Sequence, residues 1–302
     1  MRKIIAIGES ILDTLFDQQG KPLRAFVGGR IACAAATLGQ LQLPVSMVSE
    51  CATDRVGDTV VSFLERHHVD TRSIDRYTEG TTPLAAIFRD GDGHDTIVNY
   101  GAYPKTRFDV IWPRIDEDDI VLFGSLYAID TPQRERLFEL VSYAAQRKAI
   151  LIYLPGFQHG INFRITRVMP AILENLEIAH IVIAHERDLH DIFPGESAPE
   201  VFHNHIEYYG DTFLHIAPSL EVTMMRRELQ LTSPASRPTA NLLGWQAGFT
   251  AGLIDQLIKR DITHVDLNAI GQDAWHDIMA QARQLAERCA MADENALDSN
   301  TQ

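Results

Sequence analysis

Ile120-Val121-Leu122-Phe123, Ile150-Leu151-Ile152-Tyr153, Ile181-Val182-Ile183 and Phe213-Leu214-His215-Ile216 are four short apolar runs in the central third and beyond. They decide the fold class. Each is rich in β-branched or aromatic residues and too short for a helix, and their continuous apolarity suits strands buried on both faces. Between them, Gln133 to Gln146 and Arg167 to Leu176 space apolar residues three and four apart, the period of amphipathic crossover helices. Strand and helix alternating in this way predict a doubly wound α/β sheet, and Ile4 to Ile7 opens the same series at the N-terminus.

Two regions break the alternation. Residues 10–27 form one; residues 82–101 form the other, where Ala85 to Phe88 and Thr96 to Tyr100 flank Asp90-Gly91-Asp92-Gly93 and read as a β-hairpin. Since the surrounding pattern requires crossovers, both regions are assigned to a small separate β-sheet projecting as a lid. Residues 1–292 then form one α/β domain with lid segments 10–27 and 82–101, and the polar stretch 293–302 reads as a disordered tail.

Bulk properties narrow the function. The 302 residues are 45% hydrophobic, enough for a substantial core, and 41 acidic against 27 basic residues leave a net charge of -14. That charge repels a nucleic-acid backbone, so no nucleic-acid partner is expected. Cys33, Cys51 and Cys289 are scattered, without the paired spacing of a disulfide framework or zinc site. No apolar run approaches membrane-spanning length, and the N-terminal stretch is too short for a signal peptide, which together predict a cytoplasmic protein. His67-His68 and His203-Asn204-His205 do not converge two ligands on one helical face, so no metal site is assigned. Lys105 and Arg107 are read as a solvated loop near the lid, with contact to an anionic substrate the other use for them.

The N-terminal sequence carries more specific information. Gly8-Glu9-Ser10-Ile11-Leu12-Asp13 is followed by Gly28-Gly29-Arg30-Ile31-Ala32-Cys33-Ala34, then by Asp54-Arg55-Val56-Gly57-Asp58 and a segment ending His68-Val69-Asp70-Thr71. With Glu117 to Ser125, these stretches resemble the PfkB carbohydrate kinases, most closely the fructokinase-like members. The resemblance extends from Met1 to about Glu287. It implies a ribokinase-like fold with a β-sheet lid, sugar held between lid and central sheet, and nucleotide near the C-terminal helices. Fold alone licenses no activity.

What the resemblance implies for the site divides in two. On the sugar side, an aspartate at Asp13 would bond sugar hydroxyls and Gly28-Gly29 would let backbone approach the substrate, but the usual asparagine is Cys33, a weak donor. On the phosphoryl side, the family's Gly-Ala-Gly-Asp becomes Gly244-Trp245-Gln246-Ala247, so a methyl group stands at the base position and larger side chains enter the anion hole. The strand-end motif Asp-x-Asn-x-Arg becomes Leu154-Pro155-Gly156-Phe157-Gln158. The metal-linked Asn-x-x-Glu becomes His185-Glu186-Arg187-Asp188, with Asp188 expected to be exposed on an amphipathic helix and a carboxylate for a water-mediated magnesium site the other use for it. The nucleotide motif Thr-x-Gly-x-x-Gly becomes Ile216-Ala217-Pro218-Ser219-Leu220-Glu221, which loses both glycines and brings a carboxylate near the phosphates.

Losing a base removes about 10²–10⁴-fold of rate and losing an anion-hole donor about 10²–10³-fold. The leading expectation is therefore a PfkB homologue that keeps a sugar-like ligand pocket and has weak or no ATP-dependent phosphotransfer, a pseudokinase without an assigned cofactor. Two alternatives stay open: an active sugar kinase using Mg-ATP through a rearranged site, and a structural or regulatory partner of an active paralogue. A homodimer through the lid accompanies these readings.

Overall fold

A computed structural model describes residues 2–89, 95–102, 104, 108–157, 164–210, 212–237, 239 and 241–298. From the N-terminus, β1 (Ile4–Ile7), β2 (Ile11–Phe16) and β3 (Pro22–Gly28) lead into α1 (Arg30–Gln40). β4 (Val45–Ala52), α2 (Arg55–Arg66), β5 (Asp70–Tyr77), β6 (Thr81–Arg89) and β7 (Asp95–Ala102) follow. The middle of the chain is β8 (Ile120–Gly124), α3 (Arg134–Gln146), β9 (Ile150–Leu154), α4 (Ile165–Ile178), β10 (Ile181–His185), α5 (Glu186–Ile192) and α6 (Ala198–Val201). β11 (Thr212–Ile216), β12 (Val222–Arg226), β13 (Leu229–Ser233), α7 (Leu242–Lys259) and α8 (Gln272–Met291) complete it.

The large sheet has the order β13-β12-β11-β10-β9-β8-β1-β4-β5 and its pairings are parallel except for β11 with β12 and β12 with β13 at one edge. Its central strands are apolar on both faces because both are covered. Ile4, Leu122, Ile152 and Ile183 pack toward α1, α7 and α8, while Ile5, Phe123, Tyr153 and Val182 pack toward the helices of the opposite face. The period-2 division of each strand between two cores is what continuous apolar runs require. All five strands expected from the sequence are present, as are the two expected crossover helices, found as α3 and α4.

The second sheet has the order β3-β2-β6-β7. Parallel pairing of Leu12 with Leu84 and Phe16 with Phe88 joins the two chain segments assigned to the lid, and Phe16 and Phe88 stack with centroids 4.8 Å apart. Antiparallel pairing of Phe88 with Thr96 establishes the β6–β7 hairpin. Its expected turn, Asp90-Gly91-Asp92-Gly93, lies outside the described residues, as do Lys105 and Arg107.

The expected disordered tail differs over 293–298. Ala296 and Leu297 are buried in the core beside α1 and α8, the Leu297 N–H donates to Thr37 Oγ1 at 3.3 Å, and Glu294 pairs with Arg66 at 2.6 Å. Two apolar residues among polar neighbours, with this hydrogen bond and ion pair, seat the segment.

Candidate functional site

A cavity of about 1100 Å³ lies between the lid and the C-terminal ends of the parallel strands. This is where open α/β sheets place their ligands. Glu9 follows β1, Ser125 and Tyr127 follow β8, Gly156 and Phe157 follow β9, and His185 to Asp188 end β10 and begin α5. The lid supplies Ile11, Asp13, Ala85, Ile87, Ile97 and Asn99.

At the lid end, Asp13 sits mid-strand in β2 and its side chain faces the cavity. It is only 5% exposed, and its Oδ1 has no hydrogen-bond partner. Burial, reinforced by the charge of Glu9, pushes its carboxyl up to about 7. Gly28 stands directly behind it: a methyl group there would overlap the Asp13 carboxylate. Gly29, at φ 92, turns the chain into α1 with the Glu9 carbonyl against its Cα. Glu9 is likewise raised by burial, opposed by its own backbone N–H, by Arg30 and by the Tyr127 N–H, which donates to its Oε2 at 3.3 Å.

The structure thus brings Asp13, Gly28 and Gly29 together, with Gly28 serving Asp13 and Gly29 on the cavity wall. Cys33 departs from its expected role as a ligand contact. It is fully buried one turn into α1, with Sγ 3.5 Å from the Val27 carbonyl, and is not part of the wall. Burial pushes its thiol up, making it a core residue.

Asp188 corrects a second expectation. Instead of being exposed it is 8% accessible, and its carboxylate accepts two hydrogen bonds from Arg30, Nη1 to Oδ2 at 2.6 Å and Nη2 to Oδ1 at 3.1 Å. Arg30 Nη2 also donates to the Pro155 carbonyl at 3.1 Å, and a methyl group on Gly156 would lie 2.6 Å from that nitrogen. The departures at Pro155-Gly156 and Asp188 are therefore parts of one seat for the guanidinium. Asp188 also completes a capping box with His185 at the start of α5, where burial pushes the imidazole down to about 3 despite the pull of Asp188. Glu186 is engaged by His215 at 2.6 Å.

Helix α7 shows why its glycines survive. The Gly244 N–H donates to its own cap, Asn241 Oδ1, at 3.0 Å, while Gly248 and Gly252 lie against Ala286, Cys289 and Ala282 of α8, where a methyl group would come within 3.0 Å. These glycines close-pack two helices. Trp245 does not enter the anion hole as expected: it is fully buried in the core and stacks on Phe249 with centroids 5.4 Å apart. Ala247 is also fully buried. Among the described residues, α7 presents only Leu242, Leu243 and Gln246 to the cavity, with Ile216, Ala217, Pro218 and Leu220 beside them. Glu221, expected near the phosphates, is not on this wall.

Residues 1–206 match the pfkB family carbohydrate kinase domain. This chain belongs to the pfkB family. A putative sugar kinase of Pyrococcus horikoshii is 24% identical over 198 residues, 62% of each chain, so the match spans about three fifths of that relative's length. The fold matches aminoimidazole riboside kinase of Salmonella enterica, solved with aminoimidazole riboside and an ATP analogue, with a TM-score of 0.78 at 14% identity over 98% of this chain and 97% of that one. Fructokinase of Xylella fastidiosa matches with a TM-score of 0.74 at 18% identity, over 98% and 95%.

Membership of the pfkB family implies Mg-ATP, and the residues present do not fit it in the family's manner. The Asp188 carboxylate is already neutralised by Arg30, the Gly244 N–H is taken by Asn241, and the stretch of wall at Ile216 to Leu220 and Leu242 to Leu243 is apolar, although Arg167 and Arg187 also line the cavity. No charged donor from α7 faces a phosphate. Glu9 and Arg30 were not singled out from the sequence. Arg30 did leave a signal, because a cation in the first turn of a helix opposes the helix dipole and needs a carboxylate to hold it. Among the described residues, no helix is long and apolar enough to cross a membrane.

Proposed function

We propose that this pfkB-family protein binds a sugar-like ligand at the lid end of its cavity and has weak or no ATP-dependent phosphotransfer. The observation that carries this reading is the wall of α7, where Gln246 faces the cavity and Ala247 is in the core, so α7 offers no carboxylate as base at the family's position. The unpartnered Asp13 carboxylate supports retained recognition of hydroxyl or other polar hydrogens.

The test is phosphoryl transfer from Mg-ATP to a sugar panel including fructose. The natural protein is compared with Ala247→Asp and, because Ala247 is buried, with the cavity-facing Gln246→Asp. Negligible turnover by the natural protein, with thermal stabilisation by a sugar, agrees with the reading; turnover at about 1–100 per second overturns it.

A second reading, an active kinase with a rearranged site, is favoured by one observation: Trp245 packs into the core and leaves the cavity open. The same assay separates the two. Pairing with a second copy is supported by the lid, whose edge strands β3 and β7 each have one neighbour within the sheet. Sedimentation of the protein alone and mixed with an active fructokinase-like protein distinguishes a homodimer from a subunit serving a paralogue.

A further inference from the structure

The cavity has two chemically different ends. At one, Asp13 and Asn99 of the lid meet Glu9 and Ser125, which stand just beyond β1 and β8. At the other, the turn after β11 and the first turn of α7 supply Ile216, Ala217, Pro218, Leu220, Leu242 and Leu243. Leu242 is 47% exposed, a large apolar side chain left open in a helical turn that favours acidic residues. In the sheet β11 lies four strands from β1, about 19 Å at the usual spacing of about 4.8 Å, so one sugar ring cannot touch both ends. The volume of about 1100 Å³ likewise suits a ligand well beyond a lone hexose.

A nucleotide would have the length, but its phosphates find no seat beside the apolar end. There the Gly244 N–H is given to Asn241, and Arg30 is given to Asp188. The other described cations of the wall, Arg167 and Arg187, come from α4 and α5, which cover the face of the sheet opposite α7. What matches the apolar stretch is an apolar group, whose burial there would release water from both surfaces. Resting on the sugar-pocket reading above, we infer that the ligand is a glycoside whose sugar sits against Asp13 and whose alkyl or aryl aglycone lies along Pro218, Leu220, Leu242 and Leu243. One molecule then uses both ends of the cavity.

Calorimetric titration tests this with free D-fructose and D-glucose and with the methyl, butyl and hexyl β-D-fructofuranosides and β-D-glucopyranosides. In at least one series each added methylene is expected to tighten binding about two- to fourfold, the upper figure standing for complete withdrawal from water. Because Leu242 is half-exposed, Leu242→Asn alters the wall without opening a hole in the core; it should lower the hexyl-to-methyl ratio at least about threefold. Asp13→Asn should weaken every member of the series alike. A ratio indifferent to Leu242→Asn, or simultaneous saturation by the hexyl glycoside and Mg-ATP, would put the aglycone elsewhere and overturn the inference. A flat series, or free sugar that binds while the glycosides do not, would also overturn it and leave the sugar pocket standing. Binding of no sugar and no glycoside would overturn both.

Discussion

Arg30 meets Asp188 edge-on, with Nη1 2.6 Å from Oδ2 and Nη2 3.1 Å from Oδ1, across the cavity wall from the first turn of α1 to the first turn of α5. Both side chains are largely withdrawn from water, so removing one partner strands the other's charge. Arg30→Met and Asp188→Asn should each lower unfolding free energy by about 2–4 kcal/mol in denaturant melts, somewhat below the range for fully buried pairs. The double variant should lose less than the sum, since neither charge is then left alone.

Gly156 offers an independent check on the same seat. A methyl group there would lie 2.6 Å from Arg30 Nη2 and 3.0 Å from Ser125 Cα, so the guanidinium must shift. Gly156→Ala is expected to cost about 1–3 kcal/mol. In an Arg30→Met background the cost should shrink without vanishing, because the Ser125 backbone remains in the way. Equal costs in the two backgrounds would show that Arg30 is not what demands the glycine.

The physics of what was legible in the sequence follows from these residues. Ile120 to Phe123 and the runs after it advertise their strands because a strand buried on both faces can contain little else. Asp13, Gly28 and Gly29 were legible as a group through the family resemblance, and the structure gives Gly28 its own reason, since its approach to Asp13 excludes a side chain. Asp188 was misread as exposed because its partner lies 158 positions earlier, and no local period encodes a contact of that span. Trp245 and Ala247 were misplaced for a related reason: motif alignment gives order along α7, while the packing of Gly248 and Gly252 on α8 sets which face turns inward. Ala296 and Leu297 were hidden by the polarity of their neighbours.

Asp13 should give the protein a distinctive dependence on pH. Its carboxyl is raised from 3.8 to about 7 in the fold, so below about pH 4 both states are protonated and the group costs nothing. As pH rises toward 7 the unfolded chain releases the proton first, and stability is lost until the folded form also ionises. Asp13→Asn should therefore match the natural protein near pH 4 and exceed it by about 2–4 kcal/mol at pH 7 and above. Chemical denaturation at several pH values measures the difference.

His180 sends the opposite signal from the other end of the sheet. Its Nδ1 accepts the Leu151 N–H at 3.0 Å, which puts the ring proton on Nε2, 3.0 Å from Nε2 of His264. A proton added to His180 would have to displace the Leu151 bond and sit buried beside a second imidazole. Burial, followed by His264, accordingly pushes its imidazolium down from 6.5 to about 4. Above pH 6.5 the ring is neutral in both states and its contribution to stability is complete. Between 6.5 and 4 the unfolded chain gains a proton that the fold refuses, so that contribution is lost as pH falls. His180→Gln cannot titrate, and the natural protein's stability relative to that variant should fall by about 2–3 kcal/mol over this interval. A difference that stays constant from pH 7 to pH 4 would mean that the histidine pair accepts the proton by opening locally, with the Leu151 N–H finding another acceptor.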